Sequence, residues 1–155
     1  MRLLLTGGAG FIGSHFVDQV VGLGGKFVLV DDLSSGSVEN LPTDRSVEFV
    51  EKDFRTCEAR DFAGSFDALV HLAAQPSVAT SWEQPMPAHE TNLSLTLHAI
   101  ALANKLRIKR IVFASSATVN GRAAEVPTKE SSQTNPTSPY GLQKLTSEPR
   151  TNIQN

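Results

Sequence analysis

The feature that most constrains this chain is a short apolar run, Leu3-Leu4-Leu5, that gives way at once to Gly7, Gly8, Gly10 and Gly13. Beyond the glycines, Phe11, Ile12, Phe16, Val17, Val20 and Val21 recur at helical spacing until Gly22-Leu23-Gly24-Gly25 ends the pattern. The order is strand, glycine turn, helix. In a nucleotide-binding α/β unit one glycine makes the tight turn, one lets the backbone approach a diphosphate, and one lets helix and strand pack closely. The amides and positive dipole at the helix start then hold the phosphates. Gly8-Ala9-Gly10-Phe11-Ile12-Gly13 fits G-x-G-x-x-G, while Gly7, Gly10 and Gly13 also fit G-x-x-G-x-x-G.

A second apolar run, Phe27-Val28-Leu29-Val30, ends in Asp31-Asp32. An acid at the tip of the second strand suits a hydrogen bond to an adenosine ribose 2′-hydroxyl. Two carboxylates repel a 2′-phosphate, and no Lys or Arg lies between Lys26 and Arg45 to neutralise one. NAD is therefore expected rather than NADP.

The remaining chain alternates strands with helices. Residues 33–45, rich in Ser, Gly, Asn and Pro, read as a surface loop. Residues 47–52 alternate as an outer strand does, and Asp53-Phe54 at its end could meet an adenine amino group or cap the weak helix of residues 55–62. Residues 66–72 form a continuous apolar run, as in a strand buried on both faces, with His71 read as a hydrogen-bonded core residue. Leu72, Ala73 and Ala74 end that strand and are small enough at 73 and 74 to let a cofactor pass. Residues 75–84 read as a polar loop and residues 85–106 as the longest helix, with Asn92 serving either a local hydrogen bond or the cofactor. A fifth strand, residues 111–114, delivers Ser115-Ser116-Ala117-Thr118 at its carboxyl end, where ligands of open parallel sheets bind. The expected architecture is α/β, a Rossmann-type doubly wound parallel sheet of order 3-2-1-4-5. It occupies residues 1–148, with an irregular polar tail at 149–155.

Composition excludes several function classes. A net charge of −2 with scattered basic residues offers no track for nucleic acid. No apolar run approaches the roughly 20 residues that a bilayer needs. Cys57 is the sole cysteine, so no internal disulfide forms, which fits a reducing, cytoplasmic setting. His89 and His98 lack metal-binding spacing, so no metal is expected.

The last helix opens with Pro139-Tyr140-Gly141-Leu142-Gln143-Lys144, which puts Tyr140 and Lys144 four residues apart on one face. A phenol titrating near 10 is a poor base at neutral pH. A neighbouring ammonium and an oxidised nicotinamide both stabilise the phenolate, making a proton acceptor for a hydroxyl whose carbon loses hydride. Ser116 would orient that hydroxyl.

Together TGGAGFIGSH, VDDLSSG, HLAAQPSV, FASSATVNG and SPYGLQK resemble the extended short-chain dehydrogenase/reductase family, and within it the NAD-dependent epimerase/dehydratase group. The resemblance covers residues 1–148 and is strongest to the sugar-nucleotide epimerases. It implies that Gly7, Gly10, Phe11, Ile12 and Gly13 line the diphosphate of NAD, Asp31 and Asp32 hold the ribose, and Asp53 and Phe54 meet the adenine. Leu72, Ala73 and Ala74 would border the nicotinamide, with Asn92 nearby, and Ser116, Tyr140 and Lys144 would be catalytic, the last two also touching the cofactor. A UDP-sugar is the implied substrate, and family members dimerise. Family dehydratases carry an Asp-Glu pair, and decarboxylases a Glu, where this chain continues Ala117-Thr118-Val119-Asn120. Epimerase is therefore the first expectation. A dehydratase or reductase of the same family, or a non-catalytic NAD-binding fragment, is the alternative.

Two departures stand out. Asn120-Gly121 replaces the family's usual Tyr-Gly, and Glu148-Pro149 breaks a helix that in the family runs on. Outer strands and a sugar lobe are expected to be missing, leaving an open fifth-strand edge, an uncovered apolar face and a frayed catalytic helix.

Overall fold

The computed structural model describes residues 1–122 and 126–148. The polar tail expected at 149–155 lies outside the described residues. The described residues divide into two compact units, one of residues 1–73 and 98–113, the other of residues 74–97, 114–122 and 126–148.

The first unit carries a five-stranded parallel sheet: β1 (Arg2–Thr6), β2 (Lys26–Asp31), β3 (Val47–Glu51), β4 (Ala68–His71) and β5 (Ile111–Phe113). The order is β3-β2-β1-β4-β5, as expected from sequence. β1 sits at the centre, with Leu5 in register with Leu29 of β2 and Val70 of β4. β1, β2 and β4 are buried on both faces, which is why their sequences run apolar without alternation. Leu3, Leu5, Phe27, Leu29, Ala68 and Val70 form one face, packed with Val17 and Val20 of α1 (Phe11–Gly22). Each fully buried Leu or Val there stabilises the fold by roughly 1.5–3 kcal/mol. α1 ends before Leu23-Gly24-Gly25, where the Gly25 amide returns to the Val20 carbonyl at 2.9 Å. The weak helix expected after β3 is two single 3₁₀ turns, Phe54–Thr56 and Ala59–Asp61.

The second unit is helical. The expected polar loop at 75–84 instead contains α2 (Val78–Glu83), whose start is capped by the Ser77 hydroxyl accepting from the Thr80 amide at 3.1 Å. The long helix read from sequence is a continuous course of α3 (Pro85–His89), one π-helical turn (Glu90–Ser94) and α4 (Leu95–Lys105), the last belonging to the first unit from His98 onward. α5 (Pro139–Ser147) begins with Pro139 after a Ser138 cap. No helix among the described residues is long and apolar enough to cross a membrane.

Candidate active site and its cofactor cradle

In the first unit the glycine turn follows β1 directly. Gly7 adopts φ +73°, and a Cβ on it would lie 2.5 Å from the Ala73 amide nitrogen and 2.8 Å from the Ala73 Cα. A Cβ on Gly13 would come within 2.6 Å of the Gly8 Cα. Both positions are closed to any side chain, so the turn, the end of β4 and the first turn of α1 meet backbone to backbone. Thr6 fixes this from below. Its hydroxyl accepts from the Ala73 amide at 3.3 Å and shares a hydrogen bond with His71 Nδ1 at 2.7 Å. His71 is thus a satisfied core histidine, stacked on Phe113.

The start of α1 has the features of an anion site. Its N-cap is Gly10 in extended backbone, no side chain caps it, and its first turn holds no acid. The first amides of a helix have no intrahelical acceptor, so they are available to a phosphate. Phe11 and Ile12 are exposed there.

Asp31, at the tip of β2, ties this turn to the strand beside it. One carboxylate oxygen accepts from the Ala9 amide and the other from the Leu33 amide, each at 2.9 Å. Each oxygen keeps lone-pair capacity for a ribose hydroxyl. Asp32 is exposed and accepts from the Ser34 amide at 3.0 Å. Asp53 takes the capping role left open by the sequence, accepting from the Arg55 amide at 2.9 Å and pairing with the Arg55 guanidinium at 2.6 Å. That guanidinium holds the Asp53 carboxyl below its ordinary range. The Phe54 side chain is a core ring, 4% exposed and edge-on to His98, rather than an open adenine contact. Leu72, Ala73 and Ala74 are half-buried.

The second unit holds the three residues expected to be catalytic. Ser116 caps a 3₁₀ turn, its hydroxyl oxygen accepting from the Thr118 hydroxyl at 2.9 Å. Tyr140 and Lys144 are 8% and 4% exposed, so they are not an ordinary surface pair. The Tyr140 amide donates to the buried Ser81 hydroxyl at 3.1 Å, which anchors the start of α5 to α2. The Lys144 ammonium donates to the Ala114 carbonyl at 2.9 Å and lies 5.8 Å from the Tyr140 ring centroid. Burial pushes the Lys144 ammonium down to about 8. An adjacent anion, such as a phenolate, therefore gains from it in a site of low dielectric.

Asn92 sits in the π-helical turn, 2% exposed. Its side-chain oxygen accepts from the Gln75 amide at 2.9 Å, and its side-chain nitrogen donates to Gln143 Oε1 at 2.8 Å. It fastens the chain after Ala74 to α5, and both ends of the carboxamide have protein partners, as in the local hydrogen-bonding role, one of the two that the sequence left open. Sequence reasoning did not single out Ser81 or Gln143. Gln143 is marked only by its polarity within the last helix, and Ser81, in a stretch that reads as a polar loop, is not marked at all.

The NAD dependent epimerase/dehydratase family matches residues 3–151. The UDP-glucose 4-epimerase of Dictyostelium discoideum is 36% identical over 152 residues, covering 93% of this chain and 44% of its own length. That of Bacillus subtilis is 37% identical over 153 residues, covering 94% and 45%. A UDP-glucose 4-epimerase from Thermotoga maritima, solved with UDP-glucose, superposes with a TM-score of 0.87 at 38% identity over 96% of this chain and 49% of that one. The enzyme from Bifidobacterium longum, solved with NAD+ and UDP, gives 0.87 at 32% identity, covering 96% and 47%. The chain spans about half the length of the relatives it matches. On its sequence and its fold alike, the chain belongs to the NAD-dependent epimerase/dehydratase family.

Proposed function

We propose that this chain carries the NAD-binding part and the proton-transfer residues of a sugar-nucleotide 4-epimerase acting on a UDP-sugar. The observation that carries this reading is the buried Tyr140–Lys144 pair on α5, in a chain whose glycine turn is closed to side chains and uncapped at α1. Gly7, Gly10, Phe11, Ile12 and Gly13 would hold the NAD diphosphate through backbone amides, Asp31 and Asp32 the adenosine ribose, and Asp53, while it caps the next turn, the adenine. Leu72, Ala73 and Ala74 would border the nicotinamide.

NAD supplies the acceptor, and later the donor, of the hydride at sugar C4. This chain's residues handle the proton. The Tyr140 phenolate takes it from the 4-hydroxyl as the C4–H bond breaks, leaving a 4-keto sugar. On return the hydride would go back to the opposite face of C4 and the proton from Tyr140 to the 4-oxygen, so the product is the epimer with no net oxidation. Lys144 lowers the cost of the phenolate, and Ser116 holds the hydroxyl. Positions 117–120 hold no acid with which to eliminate water or lose a carboxyl group, which favours epimerisation over dehydration.

The test is conversion of UDP-galactose to UDP-glucose by the full chain with NAD, followed by coupled oxidation of the product. Tyr140→Phe is expected to lower turnover by at least about 100-fold, while NAD affinity changes less than about twofold because the phenol acts on the sugar. No conversion by NAD-loaded wild type at high protein concentration contradicts the catalytic reading and leaves an NAD-binding chain.

A further inference from the structure

Ala9, inside the glycine turn, has no side-chain polarity and is fully buried, yet three residues from outside the turn hold its backbone. Asp31 accepts from its amide at 2.9 Å. Its carbonyl accepts from the Ser37 amide at 3.2 Å and from the Asn40 side-chain nitrogen at 2.9 Å. Residues 33–45, read from sequence as a solvated loop, therefore strap the phosphate turn. Gly36 lets the strap come close, since a Cβ there would lie 2.7 Å from the Ala9 carbonyl carbon.

We infer that Asn40 is a positioning residue for the cofactor diphosphate: by holding the Ala9 carbonyl it sets the direction of the Gly10 amide at the start of α1. The link is covalent geometry. The peptide between Ala9 and Gly10 is planar and trans, so its N–H points opposite to its C=O. Two donors on the carbonyl side thus aim the Gly10 amide the other way, and Gly10 is the uncapped N-cap where a phosphate binds. Without Asn40, the Ser37 amide alone holds the carbonyl, and the peptide can rotate at the permissive Gly10. Asn40 itself is exposed, so it contributes little to the core and can be replaced without emptying it. Asp31 acts on the amide of Ala9 and the ribose; Asn40 acts on the opposite end of the same residue and the diphosphate. The two roles are separable by ligand.

This inference rests on the NAD reading above. The experiment is titration of NAD, ADP-ribose and adenosine into wild type, Asn40→Ala and Asn40→Asp, with thermal melting of each. Asn40→Ala is expected to weaken NAD and ADP-ribose about five- to tenfold, the worth of one hydrogen bond, and to leave adenosine within about twofold. Asn40→Asp keeps the shape but sets a carboxylate against the Ala9 carbonyl, so its loss should be larger for the two diphosphate ligands alone. Unchanged NAD affinity in both variants overturns the inference. So does an equal loss for adenosine, which would make Asn40 a general support of the loop. Wild type that fails to bind NAD or ADP-ribose refutes the cofactor reading itself, a result that the variants cannot mimic.

Discussion

Replacing Gly7 with alanine is expected to cost the first unit about 2–6 kcal/mol and to remove NAD binding with it. Two independent penalties add. A non-glycine residue held at φ +73° is strained by roughly 1–3 kcal/mol. The new methyl would also sit 2.5 Å from the Ala73 amide, and backbone at the end of β4 cannot swing aside as a flexible side chain can. Overpacking of that kind costs typically 1–3 kcal/mol more. Against a total stability of roughly 5–15 kcal/mol, that is a large share. Gly22→Ala is the matched control, because Gly22 ends α1 with nothing within 4 Å of a Cβ. It should melt at or slightly above wild type, as helix propensity alone favours alanine. Urea unfolding of the two variants beside wild type decides the matter. A Gly7→Ala protein as stable as wild type would mean that β1 and β4 do not meet at this turn as described.

The parts of this molecule that were legible in the sequence are those in which one physical requirement leaves few alternatives. Continuous apolar runs bounded by Gly or Asp specified β1, β2 and β4, because strands buried on both faces carry few polar residues, and the two buried here, Thr6 and His71, bond each other. Gly7 and Gly13 marked the turn because only glycine fits where three backbones meet. Tyr140 and Lys144 were legible as a pair from their spacing, although their burial was not.

What stayed hidden were partnerships between polar groups and backbone. Ser37 and Asn40 look the same in sequence whether water or the Ala9 carbonyl accepts their hydrogen bonds. α2 was hidden because it has only six residues and is mostly polar or small, so Ser77 as a cap was its single signal. The π-helical turn leaves the 3.6-residue pattern of its flanks almost unchanged, and only the buried Asn92 betrays it. Phe54 reads as a strand-end residue facing ligand, but the 3₁₀ turn capped by Asp53 turns its ring into the core.

The second large effect concerns Lys144 and runs in opposite directions for stability and chemistry. Its ammonium, 4% exposed, is pushed from 10.5 down to about 8 by burial. The unfolded chain holds that proton until about 10.5, so burying the charge costs the folded state about 3 kcal/mol at neutral pH. The penalty is fully present below pH 8, because both states are then charged. It fades as pH rises from about 8 to 10.5, where the folded group has already released its proton. Lys144→Met removes the buried charge but also the hydrogen bond to the Ala114 carbonyl, worth about 1 kcal/mol.

The variant is therefore expected to be about 2 kcal/mol more stable than wild type at pH 7. That advantage should shrink by about 1.4 kcal/mol at pH 9. Taking the difference between the two proteins cancels the buried Cys57 thiol, which burial pushes up to about 11 and which lowers stability above pH 9 in both. The same variant should lose turnover, since the phenolate of Tyr140 loses the cation beside it. Stability gained where function is lost is the signature expected of a charge retained for chemistry. A Lys144→Met protein less stable than wild type at pH 7, or one whose difference ignores pH, would mean that this ammonium is solvated.

The central claim is that the glycine turn and Asp31 together form a seat for an unphosphorylated adenosine dinucleotide. Isothermal titration of NAD and NADP into the full chain, at one ionic strength, addresses it most directly. NAD is expected to bind at least about tenfold more tightly, because the 2′-phosphate would stand against the carboxylate that accepts from the Ala9 and Leu33 amides. Equal affinities, or tighter binding of NADP, would contradict it.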